Sequence, residues 1–450
     1  MDLVRDLSDR HHVLHPLVVS RLMSRNPYPG MLFPKLRHLD IFLLDFIDQA
    51  FYPRLVVGPM LRTVKIRVEA EDFRSDEVGG HPWDNFAVVM KTIFPDITTF
   101  CIESVLQGEG LEYLGMPPDI ATLYCDFQNL ESLDTPCIVV TSNTLSCLAI
   151  LPRLRSLNIS MDASQISTFS STRPAPVEFP SLVALCIDTN NLAVCSGLFR
   201  RPRLQHLLSL TVVQTNRVGV SHCYWNLDSF FHAVQTNLPD LEKLVIKKVN
   251  DPRILPSDQT VAHITRETLT PLLSLANMSV LVIEIDVTVD LDDATIGRVA
   301  VAWPNLRVLR LFEITMGNIP KVTLGGLLPL AAACPRLEQL TLRVDATRIP
   351  SFAQTGNIVS ANNLYRFDVC TSPVTAESHG RLASFISLIF PSLFSFKYGW
   401  FYATGWAGDD RYLPPMEILY AGCWEQVGTV LDSFLFTHPS PRDTVRWDYT

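Results

Sequence analysis

The sequence of 450 residues is short of several things. Charge is scarce: Asp, Glu, Lys and Arg make up 18% of the chain against 47% hydrophobic residues. A disordered chain shows the reverse balance. A basic excess is missing too, since 37 Lys and Arg face 46 Asp and Glu for a net charge of −9. Holding the phosphates of nucleic acid draws on such an excess, so a general nucleic-acid binder is excluded. No apolar stretch reaches the roughly 20 residues a membrane helix needs. The longest uncharged run, 135–152, is broken by Ser, Thr, Asn and Pro, and the apolar run 322–335 is too short. The start, MDLVRDLSDRHH, has acids and histidines where a signal peptide has an apolar segment, so none is visible. Glycine is sparse, at 20 against 31 Pro, which argues against collagen-like and Gly-linker chains and for rigid reversals.

Motifs of chemistry are also lacking. The ten cysteines stand at 101, 125, 137, 147, 186, 195, 223, 334, 370 and 423, and no two form CxxC. They read as reduced, mostly buried small hydrophobes of a cytoplasmic or nuclear protein. There is no GxSxG and no HExxH. QGEGLEYLG at 107–115 has neither the Lys of a P-loop nor the third Gly of a dinucleotide fingerprint, and reads as a turn. His11, His12 and His15 form HHxxH without a nearby Glu or Cys to complete a zinc set. Asp286, Asp290, Asp292 and Asp293 cluster without EF-hand spacing, which suits helix capping and a solvated loop. The expectation is a chain that is not an enzyme, with no cofactor and no metal. The distant alternative is an enzyme on an unrelated α/β fold.

What the chain does have is a repeat. FPKLRHLDI at 33–41 returns as LPRLRSLNI at 151–159, FPSLVALCI at 179–187 and LPDLEKLVI at 238–246. It returns again as WPNLRVLRL at 303–311, CPRLEQLTL at 334–342 and FPSLFSFKY at 390–398. Weaker copies lie at 59–66, 94–102, 127–135, 204–212, 277–285 and 362–369, giving thirteen at spacings of about 22 to 40 residues. The closing apolar–x–apolar step has the period of a strand with one buried face. The Pro cannot donate to a ladder, so it belongs before the strand, ending the preceding helix or loop. The apolar residue ahead of it should point into the core. One unit cannot bury its own face, so neighbours must stack as parallel strands, with crossovers long enough for a helix. Helical spacing marks 84–94, 227–238 and 292–303, and 325–342 reads as a complete helix–Pro–strand unit. The Ser/Thr/Pro-rich 161–178 reads as an irregular loop.

The pattern resembles leucine-rich repeats. More narrowly, LLPLAAACPRLEQLTL at 327–342 and LYRFDVCTSPVTAESHGRLASFISLIFPSLFSFKYG at 364–399 resemble the fungal, mushroom-type F-box/leucine-rich-repeat family. The resemblance covers about 33 to 400. It implies an α/β leucine-rich-repeat solenoid: a curved parallel sheet with helical or irregular crossovers, 12–13 irregular repeats, and caps at 1–32 and 401–450. The second cap would include the amphipathic helix expected at 416–436. It also implies protein–protein recognition, as the substrate receptor of a cullin–RING ubiquitin ligase. The alternative is a stand-alone scaffold or decoy. Residues 1–32 lack the Leu-Pro-x-Glu-like opening of an F-box, so a ligase adaptor is a partner only if an F-box is present.

In such a solenoid, alternate strand residues lie on the open concave face. Up to residue 190 these include Asp40, Lys65, Arg67, Glu103, Asp134 and Asp188. After residue 230 they are Lys243, Lys247, Glu284, Arg310, Arg343, Arg366, Asp368 and Lys397, six bases against two acids. The basic six are the expected binding residues for a protein partner with an acidic or phosphorylated segment. The competing reading is that these charges only keep an open sheet soluble. No nucleic acid and no membrane is expected as partner, and the chain is expected to be a monomer outside a complex. Trp400 and Trp406 read as part of the C-terminal cap, with an aromatic partner patch as the alternative.

Overall fold

A computed structural model describes residues 6–8, 35–42, 59–68, 96–104, 124–161, 178–199, 204–215, 226–249, 262–285, 287–313, 319–351, 363–399 and 415–435. The chain divides into two compact units, Met1–Leu241 with Asp258–Thr260, and Glu242–Ser257 with Val261–Thr450. HHxxH, 107–115, the expected helix at 84–94, the interior of the loop 161–178, the loop 251–260, and Trp400 and Trp406 lie outside the described residues.

The first unit stacks eight parallel strands in chain order: β1 (Asp6–Ser8), β2 (His38–Phe42), β3 (Thr63–Val68), β4 (Thr99–Ser104), β5 (Ser132–Val139), β6 (Ser156–Ser160), β7 (Ala184–Asp188) and β8 (Ser209–Thr215). The register puts like on like. Leu39, Val64, Phe100, Leu133, Leu157, Leu185 and Leu210 form one spine across β2 to β8, and all are buried. Residues on either side of the spine positions are half-exposed or, at His38, exposed, as in the iBiBiB pattern of β3. Helices α1 (Ser142–Ala149), α2 (Leu192–Phe199) and α3 (Leu227–Asn237) belong to this unit.

The second unit repeats the plan. Strands β9 (Lys243–Val249), β10 (Ala262–Thr265), β11 (Val280–Glu284), β12 (Val287–Asp290), β13 (Val308–Leu311), β14 (Gln339–Thr341), β15 (Arg366–Asp368) and β16 (Ser395–Lys397) form two ladders. The larger runs β9–β11–β13–β14–β15–β16, all parallel, with Leu244, Leu281, Leu309, Leu340, Phe367 and Phe396 as its spine. All thirteen copies of the motif are strands of this kind. This is a leucine-rich-repeat architecture.

The Pro-led motif has a definite local geometry. The residue before Pro is the C-cap of the preceding helix: Leu238 for α3, Trp303 for α4 (Asp293–Ala302), Cys334 for α5 (Leu327–Ala333) and Phe390 for α6 (His379–Ile389). Each is fully buried, as the pattern predicts. Its carbonyl then accepts the N–H of the first motif Leu three residues on, for example Trp303 from Leu306 at 3.0 Å and Cys334 from Leu337 at 3.1 Å. Pro suits the second place of such a turn because its φ is already set.

A second regularity joins the rungs. One carbonyl of each rung accepts two successive N–H groups of the next. Arg307 O takes Glu338 N at 2.8 Å and Gln339 N at 3.1 Å, and Glu338 O takes Tyr365 N and Arg366 N at 3.0 and 3.2 Å. The same hand-off occurs at Arg37, Arg62, Thr98, Glu131, Arg155 and Val183 in the first unit. A carbonyl has two lone pairs, so both donors are satisfied at one acceptor.

The smaller ladder was not legible beforehand. β10 pairs with β12, and single bridges Asp292–Lys321, Thr323–Asp345 and Ala346–Val374 continue the series. Its segments end in side chains that start the next turn. Thr265 accepts Thr268 N, Asp292 accepts Thr295 N at 2.8 Å, and Thr323 accepts Gly325 N. Asp293 clasps the following rung, taking Thr323 N and Thr323 Oγ1 at 2.6 Å each. Asp290 pairs with Lys321. Asp290, Asp292 and Asp293 thus do capping and bridging work, and Asp286 lies outside the described residues.

Helix α7 (Pro415–Leu435) matches the helix expected at 416–436. Trp424 on it is buried against Phe396, and Phe396 and Phe390 both meet Phe367 edge-on.

Candidate functional site

The inward spine leaves the alternate residues of every strand on the opposite face. In the first unit their charges are largely spent on one another. Arg67 pairs with Asp40 at 2.5 Å, Lys65 with Glu103 at 2.6 Å, and Asn158 donates to Asp134 at 2.7 Å. Asp188 is almost fully buried.

The second unit is different. Two outward rows cross its larger ladder. The first is Lys243, Val280, Val308, Gln339, Arg366 and Ser395; the second is Val245, Val282, Arg310, Thr341, Asp368 and Lys397. Lys247 stands level with Glu284 two residues further along. Lys243 and Lys247 are exposed and form no ion pair among the described residues. Arg310 pairs with Glu284, both about a third exposed. Arg366 and Lys397 are half-buried.

Arg343 does not share this face. It lies beyond β14, which ends at Thr341, and its side chain is buried. Arg343 is 5% exposed, lies 3.6 Å from the 3% exposed Glu313, and donates Nε to Thr371 O at 3.3 Å. A desolvated guanidinium needs such partners. The outward set is therefore Lys243, Lys247, Arg310, Arg366 and Lys397.

Electrostatics at the cluster follow from burial. Asp368 is 8% exposed, and burial raises its pKa against the opposing pull of Cys370 N–H, Arg366, Arg310 and Lys397. It accepts Cys370 N at 3.0 Å, where the chain takes a positive φ of 52°. The Lys397 ammonium is lowered by burial first, then by the repulsion of Arg366 and Arg310, with Asp368 opposing. Sequence alone places these residues on one face but does not show that Asp368 and Lys397 are desolvated.

No group of His, Cys, Asp and Glu among the described residues is arranged to hold a metal ion. The described cysteines are free thiols, and burial pushes Cys101, Cys137 and Cys195 up to about 12. A thiol held protonated is a poor nucleophile. No described helix is long and apolar enough to cross a membrane.

No family model matches the chain, and no curated protein matches it. Among solved structures it is similar to the complex of Rad7 and Elc1 in yeast, at 16% identity over 77% of this chain and 72% of that one, with a TM-score of 0.39. It is also similar to the Toll–Spatzle complex of Drosophila, at 10% identity over 81% of this chain and 51% of that one, with a TM-score of 0.33. The fold assignment rests on the ladders themselves.

Proposed function

We propose that the chain is a non-catalytic protein-recognition module, and that it serves as an F-box-type substrate receptor for a cullin–RING ubiquitin ligase. The observation that supports recognition is the outward face of the second unit. Five cations stand there against Glu284 and Asp368, in a chain whose net charge is −9. In the first unit the charges of this face are paired with one another, whereas here Lys243 and Lys247 are exposed and form no ion pair among the described residues. Complementary charge steers a partner and fixes its register. The chemistry of the face fits an acidic protein segment. In this reading 33–400 is the recognition body, 1–32 and 401–450 are its caps, and the protein works as a monomer in the cytoplasm or nucleus. The ligase role comes from the family resemblance of the repeats at 327–342 and 364–399.

Co-expression with the small adaptor of a cullin–RING ligase tests that role. Co-elution of the two chains in size-exclusion chromatography supports the receptor. Separate elution removes the ligase link and leaves a stand-alone scaffold.

A further inference from the structure

The crossovers on either side of β5 carry a pair of thiols. Cys125 stands in the turn 124–126 that leads into β5, and Cys147 stands on α1, between β5 and β6. The two thiols hydrogen-bond to one another, and both are half-buried and free. Helix α1 turns Thr144, Leu145, Leu148 and Ala149 into the core, which leaves Cys147 at the flank that meets the preceding crossover. Both residues lie off the strands that build the outward face. The other half-buried thiols among the described residues, Cys101 and Cys186, are arranged differently. They belong to one row, Cys101, Asp134, Asn158 and Cys186, three strand spacings from end to end. At about 4.8 Å per spacing they stand about 14 Å apart, roughly twice the reach of a disulfide. The Cys101 thiol donates to Asp134 instead, at 3.7 Å.

We propose that Cys125 and Cys147 form a reversible disulfide, a modification site that staples two successive crossovers when the surrounding pool of small disulfides rises. The oxidant is a low-molecular-weight disulfide of the glutathione class. One protein thiol loses its proton, attacks the small disulfide and releases one small thiol, leaving a mixed disulfide. The second protein thiol loses its proton, attacks the first protein sulfur, forms the Cys125–Cys147 bond and releases the second small thiol. Two protein thiols are oxidised, and one small disulfide is reduced to two thiols.

The surroundings set the order and pace of these steps. Burial, and after it the contact with Cys147, push the Cys125 thiol up to about 12. Cys125 therefore keeps its proton as the hydrogen-bond donor while Cys147 makes the first attack. Thiolate is scarce, so the first step is slow and the pair stays reduced at rest. The second step is intramolecular, between sulfurs already in contact, and a held neighbour reacts as if at very high concentration. The link closes a loop around the whole of β5, so it removes freedom from the unfolded chain and stabilises the first unit. It leaves the charges of the outward face unchanged.

The test treats the full, reduced chain with glutathione disulfide and blocks the remaining thiols with iodoacetamide. Cleavage at Glu131 and Arg153 then separates Cys125 from Cys147 for mass spectrometry. The expected result is a linked peptide pair, assigned to Cys147 over Cys137 by fragmentation and parted again by dithiothreitol. The thermal unfolding midpoint should rise by about 3 °C or more on oxidation and return on reduction. Cys125→Ala and Cys147→Ala should each abolish both the link and the rise, while Cys186→Ala should keep both. Peptide mapping of the native chain decides the pairing even where a variant fails to fold. Glutathione adducts on Cys125 or Cys147 without the link overturn the proposal, and so do thiols left unmodified after prolonged exposure. A rise that survives in either folded variant assigns it to another pair and overturns the site. A link that forms without moving the midpoint overturns the staple.

Discussion

Trp424 donates its indole N–H to the carbonyl of Ser372 at 2.8 Å, across 52 residues of chain. The bond ties α7 to the turn after β15. The Ser372 side chain works there too, accepting Val344 N at 2.8 Å. Trp424→Phe keeps most of the packing and loses the bond, so it should cost about 1 kcal/mol, whereas Trp424→Ala should cost about 3–5 kcal/mol. Urea unfolding followed by circular dichroism separates the two values. Equal, small losses would mean that the helix is not held by this residue.

Neighbouring residues on β13 should respond very differently to truncation. Leu309 is in the buried spine and Val308 is on the half-exposed row. Leu309→Ala should cost about 2–5 kcal/mol, and Val308→Ala less than about 1 kcal/mol. Chemical denaturation midpoints of the two variants would show the period of the strand directly.

Asp292 gives the stability a dependence on pH. Its carboxyl lies below the usual range because the Thr295 hydroxyl and N–H both bond to its ionised form. A depressed carboxyl stabilises the fold above its unfolded pKa of about 3.9 and ceases to do so as pH falls through its folded value. Asp292→Ala should therefore cost about 1 kcal/mol at pH 7. The gap between variant and native chain should close in strong acid. A gap that stays constant down to pH 2.5 would contradict the assignment of the cap.

The buried pair of Arg343 and Glu313 should be strongly non-additive. Arg343→Met alone leaves a buried carboxylate without its cation and should cost about 3–5 kcal/mol. Arg343→Met with Glu313→Leu should cost less than the sum of the two single changes. A double-mutant cycle in guanidinium measures the coupling, and strict additivity would show that the pair is energetically silent.

Much of this was legible in the sequence because the rung carries its own punctuation. Pro239, Pro304, Pro335 and Pro391 each follow a helix C-cap, and the buried residue before each is the one the pattern assigned. The helices expected at 227–238 and 292–303 appear as α3 and α4. Other parts carried no period to read. β10 and β12 have four residues each, and their ladder continues through single bridges. Four residues are too few to separate strand alternation from chance. Arg343 fits the outward period by counting, but a three-residue strand ends before that period reaches it. That Arg366 stands level with Ser395, and Asp368 with Lys397, needs two strands in known register. The sequence supplies the face but not the neighbour.

The doubled carbonyl junction has a further consequence. It fixes where one rung begins relative to the last through the main chain alone. Leu39 and Val64 are 25 positions apart while Val64 and Phe100 are 36 apart, yet both steps end in the same alignment. Connector length is thus free to drift without disturbing the face that meets a partner. A lineage could lengthen, shorten or rewrite the intervening segments and keep its recognition surface, at the expense of the regular spacing by which kinship is ordinarily traced.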